Sequence, residues 1–206
     1  MIKGDYLNLT KGQLKSKDGI DLYSRKDFDG MHAAGRVAAE ILDEIVTSVF
    51  PGQTTGKIDA IIEELIRDKN VESGTIGYRG YQHASCISVN HVVCHGIPSD
   101  KILKEGDILN IDVTVIKDGW YGDTSRMYVA GQPSRKAERL IQVTHDALFK
   151  GIDAVKPGKT FGDIGHAIQT YVEANRMSVV RDFCGHGLGR VFHSPPNVLH
   201  YGREGA

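Results

Sequence analysis

The sequence has few of the features that mark secreted, membrane-spanning and nucleic-acid-binding proteins. Its 206 residues include only three cysteines, and its net charge at pH 7 is −1. Cys86, Cys94 and Cys184 are odd in number and lack a CxxC spacing, which indicates reduced thiols rather than a disulfide framework or a zinc ribbon. No stretch approaches the roughly 20 apolar residues of a membrane span, and the polar N-terminus does not read as a signal peptide. The near-neutral charge does not favour a nucleic-acid or anionic-membrane surface.

The remaining sequence is long enough for one domain with a sizeable core. Residues 1–23 are polar and rich in Gly and Lys, so we predict an N-terminal extension there and a folded domain over 24–206. Helix pairs and a separate run of antiparallel strands at 75–129 favour an α+β fold. The predicted elements are a helix from Ser24 that Pro51-Gly52 ends, a helix around Ile58–Ile66, a strand over Ile87–Val93, a helix over Ser134–Val155 and a helix that begins at Thr160.

Asp118-Gly119 stands between two strand-like runs and predicts a hairpin with a two-residue turn. If these two residues form the turn, Thr114 faces Asp123 on the neighbouring strand. Asp112 and Asp123 are then diagonal neighbours on one face, within roughly 7–8 Å of each other. Asn110, Thr114 and Ser125 share that face, whereas Ile111, Val113 and Val115 point the other way. Two acids without a neighbouring Lys or Arg repel each other, and a bound cation would offset the repulsion.

Histidines in glycine-rich surroundings form the second signal. His186 stands between Gly185 and Gly187, His193 follows seven residues later, and His95 stands directly before Gly96. Glycine permits close backbone approach, which leaves an imidazole free to reach a metal or a substrate. We interpret the other six histidines as structural.

Three segments together resemble the type I methionine aminopeptidases, which are metal-dependent enzymes of the creatinase-like pita-bread fold. The segments are NIDVTVIKDGWYGDTSRM at 110–127, VVCHGIP at 92–98 and CGHGLGRVFH at 184–193. The resemblance extends from about Ser24 to the last residue. It implies two pseudo-symmetric halves in which helix pairs cover an antiparallel sheet.

The resemblance also implies roles for individual residues. Asp112, Asp123 and His186 would be metal ligands, with Asp123 bridging two divalent ions of Co, Mn, Fe or Zn. His95 and His193 would be catalytic and would contact the substrate. The methionine pocket would be lined by four further residues, namely Tyr78, Tyr81, Cys86 and Phe192.

The implied activity is removal of the N-terminal methionine from nascent or newly made proteins by a metal-activated water. The expected partners are peptide or nascent-chain N-termini, with ribosome association as a further expectation and with no nucleic acid or membrane. The expected location is the cytoplasm.

Part of the implied metal site does not appear in the sequence. The family resemblance implies five protein ligands, and the two glutamates among them would follow the GHG motif. Glu204 is the only acid after His186, and its Gly-flanked surroundings do not assign it as a ligand. An internal repeat leads to the same expectation, because 49–58 and 155–164 share six residues at an offset of 106. The counterpart of the aspartate hairpin would fall beyond residue 206, so we expect an incomplete second half, most simply a truncated enzyme.

Two other functions stay open at this point. A non-catalytic protein on the same fold could bind peptide N-termini or a partner, and the two absent glutamates favour this alternative. A cysteine hydrolase using Cys94 or Cys184 with a nearby histidine is a third class. Cys94 and His95 are adjacent and would alternate faces on a strand, which makes them a poor nucleophile and base.

Overall fold

The computed structural model describes residues 14–206. The start of the predicted N-terminal extension, 1–13, lies outside the described residues. The helices are α1 (Arg25–Glu44), α2 (Thr55–Asp68), α3 (Arg135–Asp153) and α4 (Phe161–Ala174). The strands are β1 (Leu14–Lys15), β2 (Asp21–Leu22), β3 (Glu72–Ser73), β4 (Ser85–Val89), β5 (Ile108–Lys117), β6 (Trp120–Val129), β7 (Gly185–Gly187) and β8 (Ser194–Val198).

The chain divides into two compact units. The first runs up to Gln132 and also contains Leu188–Phe192, and the second contains Pro133–Gly187 and His193–Ala206. In the first unit β5 is the central strand, because it pairs with β3 and β4 and also with β6, all antiparallel. Helices α1 and α2 and this sheet enclose a core of aliphatic residues, among them Ile41, Ile45, Ile58, Ile62, Leu109, Ile111, Val113 and Val115, all of them fully buried.

The predicted helix starts are confirmed by their caps. Ser24 and Asp27 form a reciprocal capping box at the start of α1, and Thr160 and Asp163 form another at the start of α4. The end of α1 differs from the prediction, because the α-helix stops at Glu44. One turn of 3-10 helix over Ile45–Ser48 then carries the apolar stripe towards Pro51. The amphipathic pattern continues through this tighter turn, so the sequence pattern alone did not mark the change.

The internal repeat has a counterpart in the structure. Thr54 caps α2 and Thr160 caps α4, and each side chain accepts a hydrogen bond from a backbone N–H three residues on. Gly52 and Gly158, two residues before these caps, both have positive φ, at 96° and 84°. The two segments therefore lead from one helix into the next by the same local geometry.

The second unit consists of α3, α4 and the two-stranded β7–β8 ribbon. At the start of α4, the Asp163 carboxylate accepts hydrogen bonds from the Thr160 N–H at 2.7 Å and from the Gly205 N–H at 3.2 Å. The Thr160 backbone bond is the largest of the interactions that hold the pKa of Asp163 down to about 2. Asp163 thus joins the helix start to the C-terminal segment. No helix among residues 14–206 has the length and apolar character needed to cross a membrane.

Helix α1 packs closely on β6 at Gly122. A Cβ at this position would collide with the carbonyl group of Ala34 and would lie 2.6 Å from the nitrogen of Gly35. Further along the same contact, the Tyr128 hydroxyl donates a hydrogen bond to the Leu42 carbonyl, at 2.5 Å. The glycine sets how closely the helix approaches the strand that carries Asp123.

We expect Gly122→Ala to destabilise the protein by about 1–3 kcal/mol, because the added methyl group overfills a backbone contact. Gly35→Ala is the matched control. It adds the same methyl group to α1 where nothing lies within 4 Å, and alanine favours helix by about 0.5–1 kcal/mol over glycine. Urea unfolding of the two variants measures the difference. Equal stabilities would contradict the role of Gly122.

Candidate metal centre

The aspartate hairpin has the predicted register. Thr114 faces Asp123 and Asp112 faces Ser125 across β5 and β6. Asp118 and Gly119 form the turn with φ of 52° and 74°. Positive φ at both central residues is the geometry of a type I′ turn, whose twist matches that of the two strands. The turn therefore fixes which residues lie beside each other along the whole hairpin.

The two acids lie on the face of the hairpin that points away from the aliphatic core. Ile111 and Val113 are fully buried on the core side. On the opposite face, the Thr114 hydroxyl donates a hydrogen bond to the Asp123 carboxylate at 2.8 Å. Burial of the core face holds the register, so the carboxylates cannot turn away from each other by a one-residue slip of the strand.

Asp112 is the electrostatically perturbed member of the pair. Its pKa is raised from 3.8 to about 7, chiefly by burial and then by the negative charge of Asp123. Both causes disfavour a second negative charge at this position. A divalent cation between the carboxylates would remove the penalty, and oxygen donors suit such an ion. The donor set of this face therefore fits a metal ion.

Aromatic side chains and one thiol adjoin the acids within the first unit. Cys86 on β4 faces Asp112 on β5. The ring of Phe192 lies 4.9 Å from that of Tyr78 and is stacked on Tyr121 at 5.5 Å. Tyr121 was not among the sequence-predicted residues. It lies on the same face of β6 as Asp123, two positions away, and this spacing was the signal that could have identified it.

Tyr81 and Cys86 are both held in their neutral forms. The Tyr81 hydroxyl donates a hydrogen bond to the Ser85 carbonyl at 2.9 Å. Burial raises the pKa of Tyr81 and is also the largest cause of the raised pKa of Cys86. Burial likewise raises the pKa of Cys94. Thiols with raised pKa values are poor nucleophiles, which disfavours a cysteine hydrolase that uses Cys94.

His95 is exposed and lies beyond the end of β4 in a loop, with φ of 54°. The predicted strand Ile87–Val93 was wrong at its C-terminal end, because β4 stops at Val89. Asn90 turns the chain with φ of 54°, and its side chain bonds to Asp107 and to the N–H of Ile108. The apolar residues Val92 and Val93 that suggested a longer strand are exposed.

Gly96 brings the loop back against β4. Its carbonyl accepts a hydrogen bond from the Ile87 N–H at 2.8 Å, and its own N–H donates to the Ser88 hydroxyl at 3.0 Å. A Cβ on Gly96 would lie 2.8 Å from the Cα of Ser88. The glycine of the Cys-His-Gly segment therefore serves close packing, and this packing sets the position of His95 next to it.

His186 and His193 come together in the second unit. Their ring centroids are 4.2 Å apart. Nδ1 of His186 lies 3.0 Å from the Gly187 carbonyl, so the tautomer protonated at Nδ1 donates there and leaves Nε2 as the metal-binding nitrogen. A Cβ on Gly187 would lie 2.7 Å from the Ser194 carbonyl oxygen. This close contact explains why position 187, next to His186, is a glycine.

The predicted ligands fall in both units. Asp112 and Asp123 belong to the first, and His186 belongs to the second. Within residues 14–206, no group of three or more His, Cys, Asp or Glu side chains stands together as a site for a metal ion. The acid pair is thus the part of the predicted centre that the described structure brings together.

The fold is similar to that of solved metallopeptidases. The crystal structure of methionine aminopeptidase from Rickettsia prowazekii matches with a TM-score of 0.89 and 55% identity, over 90% of this chain and 75% of that one. The methionine aminopeptidase from Thermotoga maritima matches with a TM-score of 0.87 and 36% identity, over 89% and 74% of the two chains. A prolidase from Pyrococcus furiosus at 19% identity shares the fold, with a TM-score of 0.76. These matches confirm the α+β pita-bread class.

Sequence comparison identifies the family within this fold class. A model of the metallopeptidase family M24 matches residues 29–206, and the chain belongs to this family. Methionine aminopeptidase from R. prowazekii strain Madrid E is 55% identical over 186 residues, which are 90% of this chain and 72% of the relative. The enzyme of the same name from Escherichia coli K12 is 50% identical over 184 residues, 88% of this chain and 70% of the relative. The resemblance seen in the three segments is confirmed.

We expect the metal-free protein to lose the stabilising contribution of protonated Asp112 as the pH rises from about 4 to 7. The folded state holds the Asp112 proton up to about pH 7, whereas an unfolded carboxyl releases it near 3.8. Over this window the folded state binds more protons, so raising the pH favours unfolding. The midpoint of urea unfolding of chelator-treated protein measures the effect, and added Mn²⁺ should raise the midpoint most at pH 7 and above.

Asp112→Asn should flatten this pH dependence, because it removes the titrating group and keeps the shape of the side chain. Ser125→Ala, across the hairpin from Asp112, should keep the slope of the wild type. If Asp112→Asn and the wild type show the same slope, the proton on Asp112 is not its cause.

Proposed function

We propose that this protein is a metallo-exopeptidase that removes the N-terminal methionine from newly made proteins. The observation that carries the proposal is the carboxylate pair on the face of β5 and β6 that points away from the aliphatic core, beside Cys86 and Tyr121. Relatives at 50–55% identity bear the name methionine aminopeptidase. A charged centre next to an apolar, polarisable wall suits a substrate that has a thioether side chain beside a cleavable amide.

The metal would be divalent, and Asp112, Asp123 and His186 would hold it. Oxygen ligands with one imidazole nitrogen suit Co, Mn, Fe or Zn, and the absence of thiolate from this set argues against a structural zinc site. We propose that these residues would help to hold two ions per site, as the family resemblance implies. A bound metal would supply Lewis-acid chemistry here, which can activate a water molecule and polarise the scissile carbonyl.

A hydrogen bond holds Asp123 in a way that would suit a metal ligand. The Thr114 hydroxyl occupies one lone pair of one carboxylate oxygen, at 2.8 Å, and so restrains rotation of the side chain. Asp112 carries the proton that must leave before it can serve as a ligand. Metal binding and proton release are therefore coupled at this carboxylate.

We assign His95 and His193 to the substrate. In the neutral state each imidazole can donate one hydrogen bond, and both side chains are exposed. They would steady the peptide carbonyl and the negative charge that grows on its oxygen as the amide is attacked. Stabilisation of such developing charge is commonly the largest single contribution to catalysis.

The methionine side chain would bind against Tyr78, Tyr81, Cys86 and Phe192. Tyr78 and Phe192 already form an aromatic pair, and contacts between a thioether and an aromatic ring are worth about 0.3–1.5 kcal/mol each. Tyr81 and Cys86 stay uncharged, which keeps the wall apolar. A neutral pocket of this kind favours methionine over polar or charged N-terminal residues.

The natural substrate would be the N-terminus of a peptide or of a nascent chain, and we propose that the protein meets it in the cytoplasm and near the ribosome. A net charge of −1 gives no support to nucleic acid as a direct ligand. A non-catalytic binding protein on the same fold is not favoured, because relatives at 50–55% identity bear the name of an enzyme.

We expect the protein to release methionine from a Met-Ala-Ser peptide when Mn²⁺ or Co²⁺ is added, and to stop when a chelator is present. Asp123→Asn should lower the rate by at least about 100-fold, since even groups that only support a metal ligand are worth 10–100-fold. Ser125→Ala, on the same face of the hairpin, should retain most of the rate. Liquid chromatography of free methionine provides the measurement.

The alternatives give different results in the same assay. Metal-independent release that alkylation of the thiols abolishes would favour a cysteine hydrolase. Binding of a fluorescent Met-Ala-Ser peptide without any release, with every metal tested, would overturn the enzymatic proposal in favour of a peptide-binding protein.

A further inference from the structure

A buried carboxylate that the proposed mechanism does not use lies behind the pocket. Asp59 is on α2 and is 6% exposed. Its neighbours on the helix, Ile58 and Ile62, are fully buried in the aliphatic core. A carboxylate in such surroundings is costly unless donors surround it.

The hydrogen-bond partners of the Asp59 carboxylate come from one short segment that includes His83 and Ser85. Its Oδ1 accepts hydrogen bonds from the Ser85 N–H at 2.9 Å and from the Ser85 hydroxyl at 2.7 Å. Its Oδ2 lies 3.1 Å from Nδ1 of His83. One side chain on the helix thus fixes the chain at the point where β4 begins.

Ser85 connects Asp59 to two residues of the proposed pocket, Tyr81 and Cys86. Its carbonyl accepts the hydrogen bond of the Tyr81 hydroxyl at 2.9 Å. Its neighbour Cys86 points to the opposite face of β4, because successive side chains in a strand alternate, and there it faces Asp112. Ser85 therefore faces the core and Asp59, whereas Cys86 faces the acid pair.

The loop before β4 is already well braced by its own backbone. The Gly77 N–H donates to the Tyr81 carbonyl at 2.7 Å, and the Thr75 hydroxyl donates to the His83 carbonyl at 2.8 Å. These bonds fix the shape of the loop, but they lie within the loop and β4. The contacts of Asp59 are hydrogen bonds that attach this segment to a core helix.

We propose that Asp59 is a positioning residue that sets the width of the methionine pocket by fixing Tyr81 and Cys86 through Ser85. The inference rests on the proposed function for the identity of the pocket. Asp59 touches neither substrate nor metal, and its effect is on which N-terminal side chain fits. Removing it should loosen the Tyr81 and Cys86 wall and should leave the acid pair in place.

The kinetic test compares Met-Ala-Ser with Leu-Ala-Ser in wild type and in Asp59→Ala. We expect the preference for methionine, as a ratio of kcat/KM values, to fall about tenfold, the equivalent of one hydrogen bond to a charged group. The change should appear mainly in KM. Asp59→Asn should restore part of the preference, because its amide oxygen still accepts from Ser85. Ile62→Val weakens the same helix contact by packing alone and should leave the ratio unchanged.

A second readout does not depend on activity. Iodoacetamide labelling followed by mass spectrometry reports the rate at each cysteine, with Cys94 and Cys184 as references in the same molecule. In Asp59→Ala the rate at Cys86 should rise about tenfold relative to both references, whereas in Ile62→Val the three rates should keep their proportions. This result would support positioning even if the wild type released no methionine, in which case only the proposed function would fail.

Some outcomes would overturn the inference. One is a rise at all three cysteines together in Asp59→Ala, which would show that Asp59 serves stability alone. Another is an unchanged Cys86 rate together with an unchanged preference for methionine. If Asp59→Ala does not fold, Ser85→Ala removes one donor and leaves the carboxylate in place. An unchanged Cys86 rate in that variant would count equally against the proposal.

Discussion

The repulsion between two carboxylates on one hairpin is the constraint on which the rest of this site depends. Once Asp112 has lost its proton, near pH 7, it and Asp123 would move apart if the strands could slip or the side chains could turn to solvent. The two-residue turn at Asp118-Gly119 prevents slippage, and burial of Ile111 and Val113 on the opposite face makes a flip of the hairpin costly. Burial of the core face therefore keeps the two carboxylates side by side, and a bound cation would relieve their repulsion.

Close backbone contacts give the site its shape. Gly122 lets α1 support β6 from behind, and Gly96 lets the loop that carries His95 fold back onto β4. Gly187 performs a similar role between β7 and β8 in the second unit. In each case a side chain at the glycine would meet backbone, which cannot move as easily as a flexible side chain. The glycines near the candidate residues thus matter for packing more than for flexibility.

The sequence was sufficient to predict the structure where a short local motif determines how two strands pair. Asp118-Gly119 determined the register, and from the register followed the shared face of Asp112 and Asp123. The sequence was misleading at Val92 and Val93, because apolar β-branched residues suggest a strand. The strand ends earlier because the side chain of Asn90 bonds to Asp107, which is distant in the sequence. Of the candidate site, the acid pair was accessible in this way, whereas Cys86 was predicted only from the family resemblance. The fixing of Ser85 by Asp59 joins residues 26 apart in the sequence, so no local pattern could predict it.

The carboxylates of this protein separate into two kinds by what surrounds them. Asp163 receives backbone N–H groups and a hydroxyl, and its pKa falls to about 2. Asp59 likewise receives donors from Ser85 and is complete without any ligand. Asp112 instead faces a second carboxylate, and its pKa rises to about 7. A carboxylate whose lone pairs are filled by protein donors has little to offer a metal, whereas one that is buried beside another negative charge gains most from a cation. By this criterion we propose the acid pair on the hairpin as the metal-binding element, whereas Asp59 and Asp163 have a structural role.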